Sequence, residues 1–392
     1  MSYVPVLPEE LDAPVHGAVD VLVIAGEHSG DEHAAVLIRN FLKDHPDKKI
    51  AAVGGELMKT AGAQLLFDLT HLSVVGFFEV LKHYKYFKQL FGAVVDWVEK
   101  YQPKAVLFVD YPGFNLRLAK ALFEKGIAAK AGGETKLLYY IGPQIWAWKA
   151  KRRFEMAQLL DGLAVIFPFE VDCYADTELE TNFVGHPFLQ SKQDCELIYN
   201  PDGKVLLLAG SRVSNVKRVL PILLESYQQY LSEFAERGVI LVYPSETILN
   251  EINGIVDRFP NLKEKIEFVQ NSGRIEASAV LTTSGTMSLR CGLAGIPGRI
   301  VHTIHFLSYI LGKMVIKIPY IGIANLWLEK PYYPEFTQYK AKPDVLAQEL
   351  NRCLTDRSII EQTRADCQEL HRCLEGDNSD TPWNWLEKLL DA

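Results

Sequence analysis

The stretch Ala18–Leu42, AVDVLVIAGEHSGDEHAAVLIRNFL, changes its hydrophobic period halfway along. Val21, Leu22, Val23 and Ile24 form an unbroken apolar run, which suits a strand buried on both faces. Gly26 and Gly30 then punctuate a short polar turn. Beyond it Ala34, Ala35, Leu37, Ile38, Phe41 and Leu42 recur at helical spacing. A buried strand, a tight glycine turn and a helix open a doubly wound α/β domain, whose ligands sit at the carboxyl ends of the strands.

The same unit recurs outward from this point. Apolar runs at 50–53, 105–109, 137–141 and 163–167 predict further strands, and 116–124 predicts a helix. A second series opens at Val205–Leu208, followed by a helix with Val216, Val219, Leu220, Leu223 and Leu224 on one side. Strands are expected at 240–243, 266–269 and 279–282. The chain thus divides into a loose leader (1–17), a Rossmann-like domain (18–190), a turn-rich linker and a second Rossmann-like domain (203–355). Charged helices (356–392) follow and are expected to pack back on the first domain. The fold class is α/β, with two Rossmann-like domains facing across a cleft.

Composition sets bounds. Apolar residues make up 48% and charged residues 23% of 392, which is globular. A net charge of −8 argues against a general nucleic-acid binder, since phosphate contacts need a basic surface. Cys173, Cys195, Cys291, Cys353, Cys367 and Cys373 show no CxxC pair, and the first seventeen residues carry acids and prolines rather than a signal sequence. Reduced, mostly core cysteines in a cytoplasmic protein are expected. No run of about twenty uncharged apolar residues predicts a membrane span. The helix expected at 77–100 carries Phe77, Leu81, Tyr84, Phe87, Phe91 and Val95 on one stripe and Lys82, Lys85 and Lys88 on another. It reads as a core-facing helix with a solvated basic face, or as a helix lying on an anionic membrane. The apolar region 305–327 reads as buried helix plus loop, with an apolar patch for a lipid as the alternative.

Three glycine-containing turns follow predicted strands: Gly26–Asp31, Gly210–Arg212 and Ser284–Thr286. Each offers free amides and a helix N-terminus, a geometry that binds phosphate or serves as an ordinary strand–helix turn. None matches GxGxxG or the P-loop, which weakens dehydrogenase and P-loop readings. Asp110 stands at a strand end, where a carboxylate can take a proton from a substrate hydroxyl or cap a helix. Glu27 is a turn residue with the same two readings. Arg212 can clamp a diphosphate with its planar fork. His28, His33 and His186 form no metal pattern. DxD is absent, so a carboxylate-held magnesium is not indicated; no cofactor is expected.

Several motifs agree in order and spacing, from about residue 19 to residue 340. AGEHSGD (25–31), VGFFEVL (75–81), FVDYPGFN (108–115), YYIGPQIWAWKAKR (139–152), FPFE (167–170) and VGHP (184–187) lead the series. GSR (210–212), SGT (284–286), NL (325–326) and PEF (334–336) continue it. The chain resembles the lipid-A-disaccharide synthases, inverting, metal-independent glycosyltransferases of the two-Rossmann (GT-B) architecture. The resemblance implies transfer of 2,3-diacylglucosamine from UDP to 2,3-diacylglucosamine 1-phosphate, giving a β-1,6 disaccharide phosphate and UDP on the route to lipid A. It implies an acceptor side in the first domain and a nucleotide-sugar side in the second. Asp110 matches the base. Glu27, Ser29, Gly30, Asp31, Gly210, Ser211, Arg212, Ser284, Gly285, Thr286, Arg290, Asn325, Glu335 and Gln338 match substrate- or nucleotide-binding positions. Acylated substrates imply peripheral contact with the inner face of the cytoplasmic membrane.

Four places, one of them a residue pair, depart from the family pattern. Arg290 and Asn215 stand where the family usually has glutamate, His302-Thr303 where it has Tyr-Arg or Tyr-Lys, and Ala324 where it has proline before NL. A cation cannot accept the ribose hydroxyls' hydrogen bonds as a carboxylate does. All four fall in the donor half. They leave open a relative with another donor or acceptor, or a catalytically silent binding protein.

Overall fold

Strand β1 (Val21–Ala25) is buried along its whole length and pairs in parallel with β2 (Ile50–Gly54) on one side and β4 (Ala105–Val109) on the other. The computed structural model describes residues 10–70, 84–187, 195–303, 320–375 and 380–391. With β3 (Gln64–Asp68), β5 (Lys136–Tyr140), β6 (Gly162–Val165) and β7 (Thr181–Phe183) these strands form a parallel sheet in the order β3-β2-β1-β4-β5-β6-β7. Successive residues face opposite sides. Leu22, Ile24, Val106, Phe108 and Tyr139 enter one core with helices Tyr84–Tyr101 and Pro112–Glu124. Val21, Val23, Leu107, Val109 and Tyr140 enter the other, with helix His28–Asp44 and Trp385 and Leu386 of helix Pro382–Asp391. Burial on both faces is why these strands read as continuous apolar runs. Strand order reverses between β1 and β4.

The second sheet comprises β8 (Cys195–Leu208), β9 (Val239–Tyr243), β10 (Ile266–Gln270), β11 (Gly273–Thr282), β12 (Gly298–His302) and β13 (Glu335–Thr337), in the order β10-β9-β8-β11-β12-β13. It is parallel throughout, and its order reverses between β8 and β11. Helix Val213–Glu233 buries Val216, Val219, Leu220, Leu223 and Leu224 against it, beside Leu346 and Leu350 of helix Pro343–Thr355. The chain falls into two units, Met1–Ser191 with Asp377–Ala392, and Lys192–Gly376.

Several expectations change. The described part of the leader is not loose. Leu11 is buried, Trp97 Nε1 donates to Asp12 O (2.9 Å), and Gln64 bonds both Ala13 O and Val15 N. The expected linker is partly strand: Cys195–Ile198 pairs with Gly273–Glu276, and the turn-forming residues 199–203 bulge out before pairing resumes at Lys204. The C-terminal helices part company. Arg357–Glu375 belongs to the second unit, while Pro382–Asp391 returns to the first. In helix Tyr84–Tyr101 the core face is Leu90, Val94, Val95, Trp97 and Val98, so Val95 is buried as expected, while Phe87 and Phe91 are half-buried at its margin. Phe77, Leu81 and Lys82, and most of the apolar region 305–327, lie outside the described residues. Cys195, Cys291 and Cys353 are buried and Cys173, Cys367 and Cys373 half-buried, all six as free thiols. Among the described residues no helix is long and apolar enough to cross a membrane.

Candidate functional site

In each sheet the switch point leaves a crevice at the carboxyl ends of two neighbouring strands, where open α/β sheets bind ligands. In the first unit that place is bounded by Gly26–Glu27 after β1 and Asp110–Tyr111 after β4. Asp110 and Tyr111 have φ of +48° and +49°, a region that side-chain-bearing residues seldom enter. Tyr111, not Asp110, occupies the N-cap position of helix Pro112–Glu124. The Asp110 carboxylate is thereby spared the capping role. Among the described residues its backbone donor is the Tyr111 amide, which favours the charged form. Burial outweighs that bond and holds the carboxyl above its ordinary range, with the negative charge of Glu27 pushing the same way. The Tyr111 ring lies over Gly26, where a Cβ would come within 2.1 Å of Tyr111 Cδ1. Glycine at 26 is therefore dictated by this contact.

Glu27 and Ser29 are exposed at the start of helix His28–Asp44, and Gly30 is packed beneath them. Asp31 is committed to the fold. Its carboxylate accepts the amides of Gly55 (3.0 Å), Leu57 (3.2 Å) and Met58 (3.2 Å), capping the short helix Glu56–Thr60. In the same unit the IWAWK segment is anchored by Glu170. One carboxylate oxygen accepts Trp146 Nε1 (3.0 Å), and the other accepts the amides of Ile166 and Phe167. His33 and His186, distant in sequence, are neighbours. Burial lowers both to about 4, and His33 adds charge repulsion at His186.

In the second unit two of the predicted turns do converge. Gly210, Ser211 and Arg212 after β8, and Ser284, Gly285 and Thr286 after β11, line one pocket of about 370 Å³. Leu208, Val242 and Pro244 give it an apolar wall, and Asn215 and Asn271 add amides. Arg212 and Gly285 are the N-cap residues of the helices Val213–Glu233 and Thr286–Leu293. Two positive helix ends thus open on one cavity, which suits an anionic ligand.

The remaining predicted residues do not line that pocket. Arg290 Nη2 donates to Cys195 O (2.8 Å) and so ties its helix to the first residue of β8. Asn325 is fully buried: Nδ2 donates to Tyr333 O (2.7 Å) and Glu335 Oε1 (2.8 Å), while Oδ1 accepts Tyr333 N (2.8 Å). The Glu335 carboxylate also accepts the amides of Ile321 and Gly322, ahead of helix Ile323–Leu328. Gln338 opens a 3-10 turn with φ +52°. Among the departures, Arg218 donates to Asn215 Oδ1 (3.1 Å), and burial plus the Arg218 charge lowers His302. Residues the sequence did not single out include Asn115, Tyr139 and Asn271. The first two were inside quoted motifs. Asn271 carries no motif, and only the fold brings it to the pocket.

The model of the family described as Lipid-A-disaccharide synthetase matches residues 21–381. The lipid-A-disaccharide synthase of Nitrosococcus oceani is 37% identical over 355 residues, covering 86% of this chain and 87% of its own. Lipid-A-disaccharide synthase 1 of Legionella pneumophila strain Lens is 35% identical, with 86% and 87% covered. Solved structures that superpose include a UDP-GlcNAc 2-epimerase of Methanocaldococcus jannaschii in complex with UDP-GlcNAc and UDP. It has a TM-score of 0.56 at 12% identity, covering 95% of this chain and 99% of its own. The kitacinnamycin glycotransferase has a TM-score of 0.57 at 13% identity, with 95% and 98% covered. At such identity the likeness speaks to the fold, the GT-B architecture of two Rossmann-like domains. Matched along nearly its whole length, the chain belongs to the lipid-A-disaccharide synthase family.

Proposed function

We propose that this glycosyltransferase joins a UDP-linked 2,3-diacylglucosamine to 2,3-diacylglucosamine 1-phosphate, with Asp110 as general base and the pocket after β8 and β11 as the donor's nucleotide site. The acceptor's 6-hydroxyl gives its proton to the Asp110 carboxylate. Its oxygen bonds to the donor's anomeric carbon from the face opposite the leaving group. The bond from that carbon to the diphosphate oxygen breaks, and UDP departs with the electron pair. A carboxyl raised by burial is a better proton acceptor than an ordinary aspartate. Arg212 and the two helix ends take up charge gathering on the diphosphate. The observation that carries this reading is the Asp110 turn at the β1/β4 switch point, whose carboxylate escapes the helix-capping role.

Asp110→Asn is expected to abolish disaccharide formation while UDP affinity stays within about twofold, as an effect on the transition state alone requires. Product assay and UDP titration check it, and a large loss of UDP binding would contradict the role.

Acylated substrates call for peripheral contact with the inner membrane face, and the segment Trp148–Phe154 supports it. Trp148 and Phe154 are 44% and 50% exposed. Lys149 Nζ lies 4.4 Å from the Trp148 ring centre, and the Arg153 guanidinium 4.3 Å from that of Phe154. Arg153 is paired with the Asp176 carboxylate, so Lys149, Lys151 and Arg152 supply the cations that, with the two rings, make a basic, aromatic surface on a protein of net charge −8. Anionic lipid attracts such a cluster by about 1 kcal/mol per cation, and the rings suit the interface. Replacing Trp148 and Phe154 by alanine should weaken binding to phosphatidylglycerol vesicles by on the order of 10-fold, since two large apolar surfaces leave the contact. Sedimentation with vesicles measures it; equal binding by wild type and variant would refute this surface.

A further inference from the structure

Asp110 sits on a backbone that needs restraint. It and Tyr111 are consecutive side-chain-bearing residues in the left-handed region. Such a pair persists only where its surroundings over-determine it. The Asp110 carbonyl oxygen accepts two side-chain hydrogen bonds, from Tyr139 Oη (2.6 Å) and Asn115 Nδ2 (2.7 Å). Asn115 Nδ2 also reaches Val109 O (3.3 Å), and the Asp110 amide donates to Tyr140 O (3.1 Å). Tyr139 and Asn115 are both fully buried. Tyr139 lies beside Phe108 in the core, where a phenylalanine would pack equally well. Its hydroxyl is therefore explained by the carbonyl it grips rather than by packing. Asn115 makes the same case from its other end: its buried Oδ1 has no hydrogen-bond partner among the described residues, a cost accepted while Nδ2 serves the two carbonyls.

We propose that Tyr139 and Asn115 are positioning residues for Asp110, a two-donor clamp on its carbonyl oxygen that holds the left-handed turn and so fixes where its carboxylate points. The clamp comes from β5 on one side and helix Pro112–Glu124 on the other, so the turn is held from two elements that the sheet keeps rigid. It rests on the reading of Asp110 as base. Without the clamp, residues 110 and 111 fall back to ordinary backbone angles and the carboxylate swings from the crevice toward solvent.

Tyr139→Phe removes one donor and no volume. It is expected to lower kcat by about 10- to 100-fold, the scale of a misplaced reacting group, with UDP affinity and the thermal midpoint nearly unchanged. Its kcat/KM profile should show the acid limb moving to lower pH, as a carboxyl released from burial returns toward its ordinary value. Asn115→Ala should reproduce both changes with a larger loss of stability. Full turnover in Tyr139→Phe, or a fall in kcat with the acid limb unmoved, would overturn the clamp. Full turnover in Asp110→Asn would instead remove the base reading, so the two failures are told apart.

Discussion

Several carboxylates in the motifs have different work, and only burial and partners separate them. Asp110 keeps its carboxylate at a switch point. Asp31, six residues past β1 in the first turn of helix His28–Asp44, spends its own on three amides from 24 to 27 residues away. Glu170 holds an indole and two amides in the interior, and burial pushes it up to about 7 from 4.5. A carboxyl raised on folding keeps a proton that the unfolded chain has released. Its contribution to stability is therefore full below about 4.5 and is lost as pH rises through about 7. Glu170→Gln cannot titrate and should flatten that decline in thermal midpoint between pH 5 and about 8; melts that fall with the same slope in both proteins would contradict it. Such differences were not legible in sequence. Spacing located Asp31, Asn325 and Glu335 in the right motifs, but their partners come from other segments. The place of Asp110 at the end of β4 was legible, because the residue directly after a buried strand is a position the fold class itself predicts.

At the scale of elements, the long apolar strands were legible because burial on both faces leaves a continuous hydrophobic signature. The edge strands β3, β7 and β13 were not: all three are only partly buried, with polar residues among the apolar ones, and β7 and β13 are just three residues long. The first part of β8 was hidden by its Asn-Pro-Asp-Gly bulge, which has turn composition inside a paired strand. Arg290 belongs to this scale, since its bond to Cys195 O joins helix Thr286–Leu293 to that part of β8. Arg290→Glu would set a carboxylate against a carbonyl oxygen. We expect a loss of about 1–3 kcal/mol of stability and no gain in UDP affinity. Urea unfolding and UDP titration decide it, and tighter UDP binding would show that a carboxylate there serves the ribose.

For the molecule as a whole, two units carry separate cores, and the proposed nucleotide pocket is built from residues of the second alone. Calorimetry should resolve two transitions. UDP at about 100 times its Kd should stabilise one of them by about 2.7 kcal/mol and leave the other in place; one transition moving as a block would contradict independent cores. The two-domain division was legible from the repeated strand–turn–helix opening, while the return of the last helix was only an expectation that charge and position could not place. That return orders events during synthesis. Trp385 and Leu386 complete the packing on the β1 face, and Leu389 closes over Gly162. The domain begun first must therefore wait, with an apolar flank uncovered, until residues 192–376 have emerged from the ribosome. A released chain that stops after Glu375 should hold a finished second half and a first half that chaperones still bind.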